Sequence, residues 1–184
     1  MNYSSIRVTG IIIALLIISF GSAQSDNHPV DFGIPEVALV DVEPESVPVS
    51  LSIEPPLEAG LPPSVGSSGT DNSTWINYTS AIAPAVSRVI NVQLTAGDMP
   101  QGLEIQVIAG SYNGIGNGLL GSPAGTVTLS VAAQNLINGI GGCYTGDGLS
   151  NGHQLTYSLL ITDPGVLDPD ESTTLEVTYT LSDF

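Results

Sequence analysis

Apolar and polar residues alternate with a period of two along much of the chain. The clearest example comes late in the sequence, where Leu155, Tyr157, Leu159 and Ile161 fall on one side of an extended segment. Because successive side chains of a strand point to opposite faces, this alternation predicts strands that bury one face in a core. The predicted strands are residues 36–42, 47–53, 74–79, 88–94, 103–109, 125–131, 154–162 and 173–181.

Glycine and proline dominate the segments between these strands and predict loops. Residues 54–71 contain four prolines, and residues 110–123 and 139–152 are rich in glycine. Residues 132–137 are interpreted as a short connection, although they also suit a continued strand or a helical turn. Pro48 has no N–H to donate to a ladder, which predicts that the strand at 47–53 lies at a sheet edge.

About eight strands with polar outer faces and Gly/Pro loops are typical of an all-β, antiparallel two-sheet β-sandwich. An immunoglobulin-like or a jelly-roll topology fits this pattern, and the strand order stays open. No segment of ten or more residues after residue 23 shows the 3.6-residue period of a helix. The chain is 42% hydrophobic, which is enough to fill such a core.

The first 23 residues have the pattern of a secretory signal peptide. Arg7 precedes an apolar run at 11–20, and small residues at 21–23 predict cleavage after Ala23. We therefore expect a signal peptide at 1–23, an N-terminal extension or first strand at 24–35, and one β-sandwich domain at 36–184.

This leader predicts that the mature protein is secreted. Its expected location is extracellular or on the cell surface, or the periplasm if the source is a Gram-negative bacterium. The apolar run of the leader is too short to span a bilayer comfortably, and we expect no membrane span after cleavage.

The charges are few and strongly one-sided. The chain carries 18 acidic residues and two basic ones, for a net charge of −16. It has no lysine, and Arg88 is the sole arginine after the leader. Nucleic-acid binding requires a lysine and arginine surface, so this class of partner is excluded, and anionic membranes are disfavoured.

The residues that carry nucleophilic catalysis are scarce. After the leader the chain has two histidines, His28 and His153, and one cysteine, Cys143. Neither a cation nor a predicted helix N-terminus lies near Cys143 to lower the pKa of its thiol, so we predict no enzymatic activity. Cys143 is interpreted as a small buried residue or as the thiol of an intermolecular disulfide, because a single cysteine forms no internal bridge.

Metal binding is limited in the same way. Two histidines and one cysteine do not complete a four-ligand zinc site, whereas carboxylates suffice for calcium. The calcium candidates cluster in the last predicted loop: Asp163, Asp168, Asp170 and Glu171. They lack the spacing of an EF-hand loop, and a solvated acidic turn is the alternative interpretation. No other cofactor is expected.

Four aromatic residues are candidates for a sugar-stacking platform: Trp75, Tyr78, Tyr112 and Tyr144. Trp75 and Tyr78 lie on opposite faces of one predicted strand, and Trp75 is expected to pack in the core. The second interpretation of the whole chain follows from these residues and the acidic loop. It is an extracellular carbohydrate- or calcium-binding module, with glycans as partners.

The last strand, Ser172-Thr173-Thr174-Leu175-Glu176-Val177-Thr178-Tyr179-Thr180-Leu181, resembles the terminal strand of secreted bacterial β-sandwich subunits. These include pilin-like and spore-coat-U-like proteins, and the strand that begins Gln154-Leu155-Thr156-Tyr157 is similar in style. The disulfide usual in that family is missing here. The resemblance implies a structural or adhesive surface role through strand exchange, with other copies or surface proteins as partners.

The same resemblance implies a donor strand at the start of the mature chain. Its candidates are Val30, Phe32 and Ile34, because they alternate and precede the first proline-marked strand. They also suit the first strand of a self-complete fold. The first interpretation of the sequence is thus a secreted, adhesin- or pilin-like structural protein without catalytic activity.

Overall fold

The computed structural model describes residues 24–169 and 172–184. The chain divides into two compact units, Met1–Gly33 and Ile34–Phe184, and each is described by itself. In the first unit, residues 24–33 have no regular secondary structure and their side chains are exposed. The predicted signal peptide at 1–23 lies outside the described residues.

The second unit is all-β, with antiparallel pairing throughout the described ladders. Its strands are β1 Val37–Glu43, β2 Thr70–Ala81, β3 Arg88–Ala96, β4 Leu103–Asn113, β5 Asn117–Pro123, β6 Thr126–Thr128, β7 Gln134–Tyr144, β8 Gly152–Ile161 and β9 Glu176–Asp183. Two short 3-10 turns, Ser67–Gly69 and Pro164–Val166, interrupt the loops. No helix in the part of the chain that the structure describes is long and apolar enough to cross a membrane.

The nine strands are connected in one hydrogen-bonded sheet. Its order is β6-β4-β8-β2-β7-β3-β9, with β1 paired to β2 and β5 paired to β7. The ladder is narrowest between β2 and β7, where two residue pairs connect them, Thr79 with Tyr144 and Ser80 with Cys143. This junction separates a first block (β6, β4, β8, β2 and β1) from a second block (β5, β7, β3 and β9). Because the ladder is continuous, the predicted division into two sheets is not confirmed.

Both blocks contribute to a single core. Ile76 and Leu155 from the first block and Ile90, Leu136 and Ile140 from the second are fully buried in one cluster. The alternating apolar positions of the sequence supply most of these side chains, as expected for strands that bury one face. The prediction of an all-β antiparallel fold is therefore confirmed.

One predicted strand is wrong. Residues 47–53 form no β-ladder, although Val49, Leu51 and Ile53 are half-buried and alternate with exposed residues. The segment makes one backbone hydrogen bond, from the Ser52 N–H to the Ser68 carbonyl at 3.0 Å. Pro48 has no N–H, so the alternation here reflects side-chain burial along an extended segment without a partner strand.

Two segments that were predicted as glycine-rich loops instead form strands in part. Residues 117–123 form β5, and residues 134–144, divided in the prediction between a connection and a loop, form β7. Gly118 shows why glycine occurs inside this pair of strands. Its φ is +101°, and an added Cβ would lie 2.2 Å from the Gly142 carbonyl oxygen. The glycines here permit a close backbone approach within a strand.

Candidate assembly groove

Four of the described strands, β1, β5, β6 and β9, each pair with a single neighbour and have one unpaired edge. β1 pairs with β2 alone and β9 pairs with β3 alone among the described residues. Cα atoms of β1 and β9 approach within 8 Å of each other, yet no ladder joins the two strands. Each unpaired edge presents backbone N–H and C=O groups that can pair with an additional strand.

Arg88 holds the two edges together at one end. Its side chain is buried, and its Nε donates to the Asp183 carboxylate at 2.9 Å, at the end of β9. The guanidinium also donates to the Glu36 carboxylate and the Val37 carbonyl, where β1 begins. A further bond to Ser80 Oγ, at 3.2 Å, ties the same group to β2. Arg88 therefore fixes the start of β1 and the end of β9 to each other.

Away from Arg88 the two edges border a shallow groove that is open to solvent, which we call the assembly groove. It has a volume of about 410 Å³ and is lined by Val40, Asp41, Val42, Glu45, Ser46, Val177, Thr178 and Tyr179. Val40, Val42, Val177 and Tyr179 are half-buried and pack against the core. The Tyr179 hydroxyl is hydrogen-bonded to the Tyr157 hydroxyl, and burial raises its pKa. The groove thus combines apolar side chains with two free strand edges.

The three donor-strand candidates are strongly exposed. Val30 is 74% exposed, Phe32 is 84% exposed and Ile34 is 80% exposed. Such large apolar side chains alternate over five residues, and none of the three lies in a strand. Three large apolar side chains exposed within five residues differ from the scattered single exposures that are normal on a protein surface.

His153 lies in a closed polar cluster in the core. It is fully buried, with Nδ1 2.7 Å from the Gly110 carbonyl oxygen and Nε2 3.0 Å from the Tyr78 hydroxyl. Its ring stacks on Tyr78, with centroids 5.9 Å apart, and meets the edge of Tyr112. Burial lowers the pKa of His153 and raises the pKa of Tyr78. Burial thus favours the neutral imidazole of His153, and the ring is not presented to solvent.

Cys143 lies on β7, opposite Ser80 and Gly118. It is buried, with 8% of its surface exposed. Burial raises the pKa of the thiol, and a hydrogen bond with the Ser80 backbone offsets this in part. No hydrogen bond joins Cys143 to His153 in the described structure, so the two residues do not form an activated nucleophile and base there.

The calcium candidates are described in part. The Asp163 carboxylate accepts a hydrogen bond from the Gly165 N–H at 2.8 Å and caps a 3-10 turn. Asp168 lines a second groove of about 410 Å³ together with Asp98. Asp170 and Glu171 lie outside the described residues. Within the described ranges, no three His, Cys, Asp or Glu side chains come together to hold a metal ion.

The aromatic candidates do not share one surface. Tyr78 is buried in the core, whereas Trp75 is half-buried, so the expectation that Trp75 packs in the core is wrong. The Tyr112 hydroxyl donates to the Thr145 carbonyl at 3.0 Å, and Tyr144 is 50% exposed. Tyr78 lies on the same face of β2 as the buried residues Thr74 and Ile76, whereas Trp75 lies on the opposite face.

The sequence did not indicate the role of Arg88 or the proximity of the unpaired edges of β1 and β9. A signal for Arg88 was present, because a lone arginine at the start of an apolar strand in so acidic a chain is expected to have carboxylate partners. Chemically, the assembly groove can bind an extended peptide through backbone hydrogen bonds and apolar contacts.

Comparisons with protein-family models, curated proteins and solved structures found no match to this chain.

Proposed function

We propose that the mature chain is a secreted, non-catalytic structural subunit of surface assemblies, which associates with copies of itself by strand insertion. The segment 30–34 of one copy occupies the assembly groove of another. The observation that carries this proposal is the pair of free edges of β1 and β9 on either side of partly covered apolar side chains. Secretion rests on the leader pattern at 1–23.

The proposed insertion gives the segment of one copy a partner strand and covers apolar side chains in the groove of the other. Strands in a sheet lie about 4.7–4.9 Å apart, so a ladder on both sides of an inserted strand needs edges about 9–10 Å apart. Because Cα atoms of β1 and β9 come within 8 Å of each other, the segment is proposed to pair with the β1 edge alone. Val30, Phe32 and Ile34 then face the groove, where each buried side chain contributes roughly 1.5–3 kcal/mol. Association itself costs about 4–15 kcal/mol, so the assembly is expected to be reversible and dependent on concentration.

We also propose that the two blocks of the sheet are the two layers of a sandwich. The narrow junction at Thr79–Ser80 and Tyr144–Cys143 is where the ladder passes from one layer to the other. In support, fully buried residues of both blocks belong to one cluster, and a flat sheet has no second layer to bury its apolar face. The assembly groove then lies where the edges β1 and β9 leave the sandwich open.

The burial of the reactive side chains supports a non-catalytic role. His153 is enclosed between Tyr78 and the Gly110 carbonyl, and the Cys143 thiol is buried with a raised pKa. A nucleophile and its base act on a substrate that reaches them, and these two groups face the interior instead. We therefore assign His153 and Cys143 to the stability of the core.

Light scattering after size-exclusion chromatography tests the proposal on the mature chain. We expect multimers that grow with concentration in the parent and a single chain mass for Phe32→Asp. Leu57→Asp is the matched control, because Leu57 is 97% exposed in a different segment and the substitution is equally polar. A parent that stays at the mass of one chain at low and at high ionic strength, or a Leu57→Asp chain that dissociates as fully as Phe32→Asp, would refute strand insertion.

A further inference from the structure

The assembly groove is bordered by negative charge. Asp41 and Glu45 are exposed and line the groove beside its apolar side chains. The inserting segment carries Asp31 between Val30 and Phe32. Strand insertion therefore brings carboxylates of two copies close together.

The chain offers little positive charge to offset this. Arg88 is the sole lysine or arginine after residue 23, and it is buried and already bound to Glu36 and Asp183. Each copy has a net charge of −16 over the whole sequence, so two copies also repel each other at long range.

The alternation of the two strands determines where the closest repulsion occurs. When Val30, Phe32 and Ile34 face the groove, Asp31 points to the opposite face of the inserted strand. β1 presents Asp41 on that face, because its neighbours Val40 and Val42 pack against the core and Asp41 is exposed. Like charges directly opposite each other on neighbouring strands are destabilising.

We propose that ionic strength gates the self-association of this protein, with Asp31 of one copy and Asp41 of the next as the principal repulsive pair. In dilute salt the copies stay apart, and in concentrated salt screened carboxylates allow strand insertion. The Debye length falls from about 30 Å at 0.01 M to about 3 Å at 1 M ionic strength, which spans this change. This inference rests on the proposed function and concerns the regulation of the same groove.

Sedimentation equilibrium of the mature chain across a sodium chloride series from about 0.01 M to about 1 M tests the gate. We expect the dissociation constant to fall as salt rises. Asp31→Asn and Asp41→Asn each tighten association at low salt by roughly 1.5- to 5-fold and flatten the salt dependence. In the double variant the two effects are less than additive, because each single substitution already removes the same repulsive interaction.

Asp147→Asn is the matched control. Asp147 is exposed in the loop between β7 and β8, so this variant makes the same change in net charge away from the groove. We expect a smaller effect on the salt dependence than for Asp31→Asn. Any strengthening of apolar contacts by salt is common to all variants and cancels in this comparison.

The outcomes separate this inference from the proposed function. Association that is insensitive to salt, or that weakens as salt rises, overturns the gate and leaves strand insertion intact. An Asp147→Asn effect equal to that of Asp31→Asn also overturns it, because repulsion is then a property of the whole surface. A parent that associates at no salt concentration rejects the proposed function and the gate together.

Discussion

At the scale of single residues, the most consequential side chain is Arg88. It is buried, whereas its ion-pair partners Glu36 and Asp183 have side chains that are 63% and 67% exposed. Water can therefore solvate both carboxylates when the guanidinium is removed, and the loss falls mainly on the hydrogen bonds to Val37 and Ser80. Arg88 thus links the ends of two strands, and the several N–H donors of its planar guanidinium suit it to that position.

Replacing Arg88 is expected to destabilise the fold moderately. For Arg88→Met we expect a loss of about 1–3 kcal/mol in the free energy of unfolding, measured by urea denaturation. Arg88→Lys is expected to be intermediate, because an ammonium group does not reproduce the fork of donors. Glu36→Gln, which removes one exposed charge, is the milder control, at about 0–1 kcal/mol. If Arg88→Met lowers the free energy of unfolding no more than Glu36→Gln does, Arg88 does not stabilise the fold by linking β1 and β9.

His153 makes the stability depend on pH. Burial lowers its folded pKa below the unfolded value of about 6.5, so the unfolded chain binds the proton more readily. The stability is complete above about pH 6.5 and is lost as pH falls toward the lower folded pKa. We expect urea midpoints of the parent to fall between about pH 7.5 and pH 5, and His153→Gln to remove most of that fall. Parallel pH profiles for the two chains would show that His153 is not the group responsible.

At the scale of secondary-structure elements, period-two alternation predicted β3, β4, β6, β8 and β9, and runs of apolar, aromatic or β-branched residues predicted β1 and β2. Neither pattern predicted β5 and β7, because their glycines have the composition of a loop. The glycines allow the β5 and β7 backbones to approach closely, and this approach depends on how the two strands pair. For the same reason the alternation at 47–53 predicted a strand that has no partner. The alternation at 47–53 reflects the burial of side chains, whereas backbone pairing depends on distant segments.

Substitutions at Gly118 and Gly125 separate the cost of backbone strain from the cost of a steric clash between β5 and β7. Both have φ near +100°, but an added Cβ at Gly118 meets the Gly142 carbonyl oxygen, whereas nothing lies within 4 Å at Gly125. Gly125→Ala is expected to cost about 1 kcal/mol for backbone strain alone. Gly118→Ala is expected to cost about 1–3 kcal/mol more, because the β5 and β7 backbones must separate. Equal unfolding free energies for the two variants would mean that the close approach of β5 and β7 is unimportant for stability.

At the scale of the whole molecule, the proposed assembly places its donor segment and its groove on different parts of the same chain. A contact between unlike surfaces is heterologous, so each added copy leaves one free donor segment and one free groove. Such contacts produce rings or open filaments. The sequence indicated the donor candidates through their alternation, whereas the groove depends on which strands become edges and was not predictable from it.

The central claim is that segment 30–34 of one copy enters the assembly groove of another. Its most direct test mixes two variants, Phe32→Asp, with a defective donor segment, and Val42→Asp, with a defective groove, after circular dichroism shows that both are folded. Light scattering is expected to give the mass of one chain for each variant alone and the mass of two chains for the mixture. A mixture that remains at the mass of one chain, or either variant assembling alone as the parent does, contradicts the account.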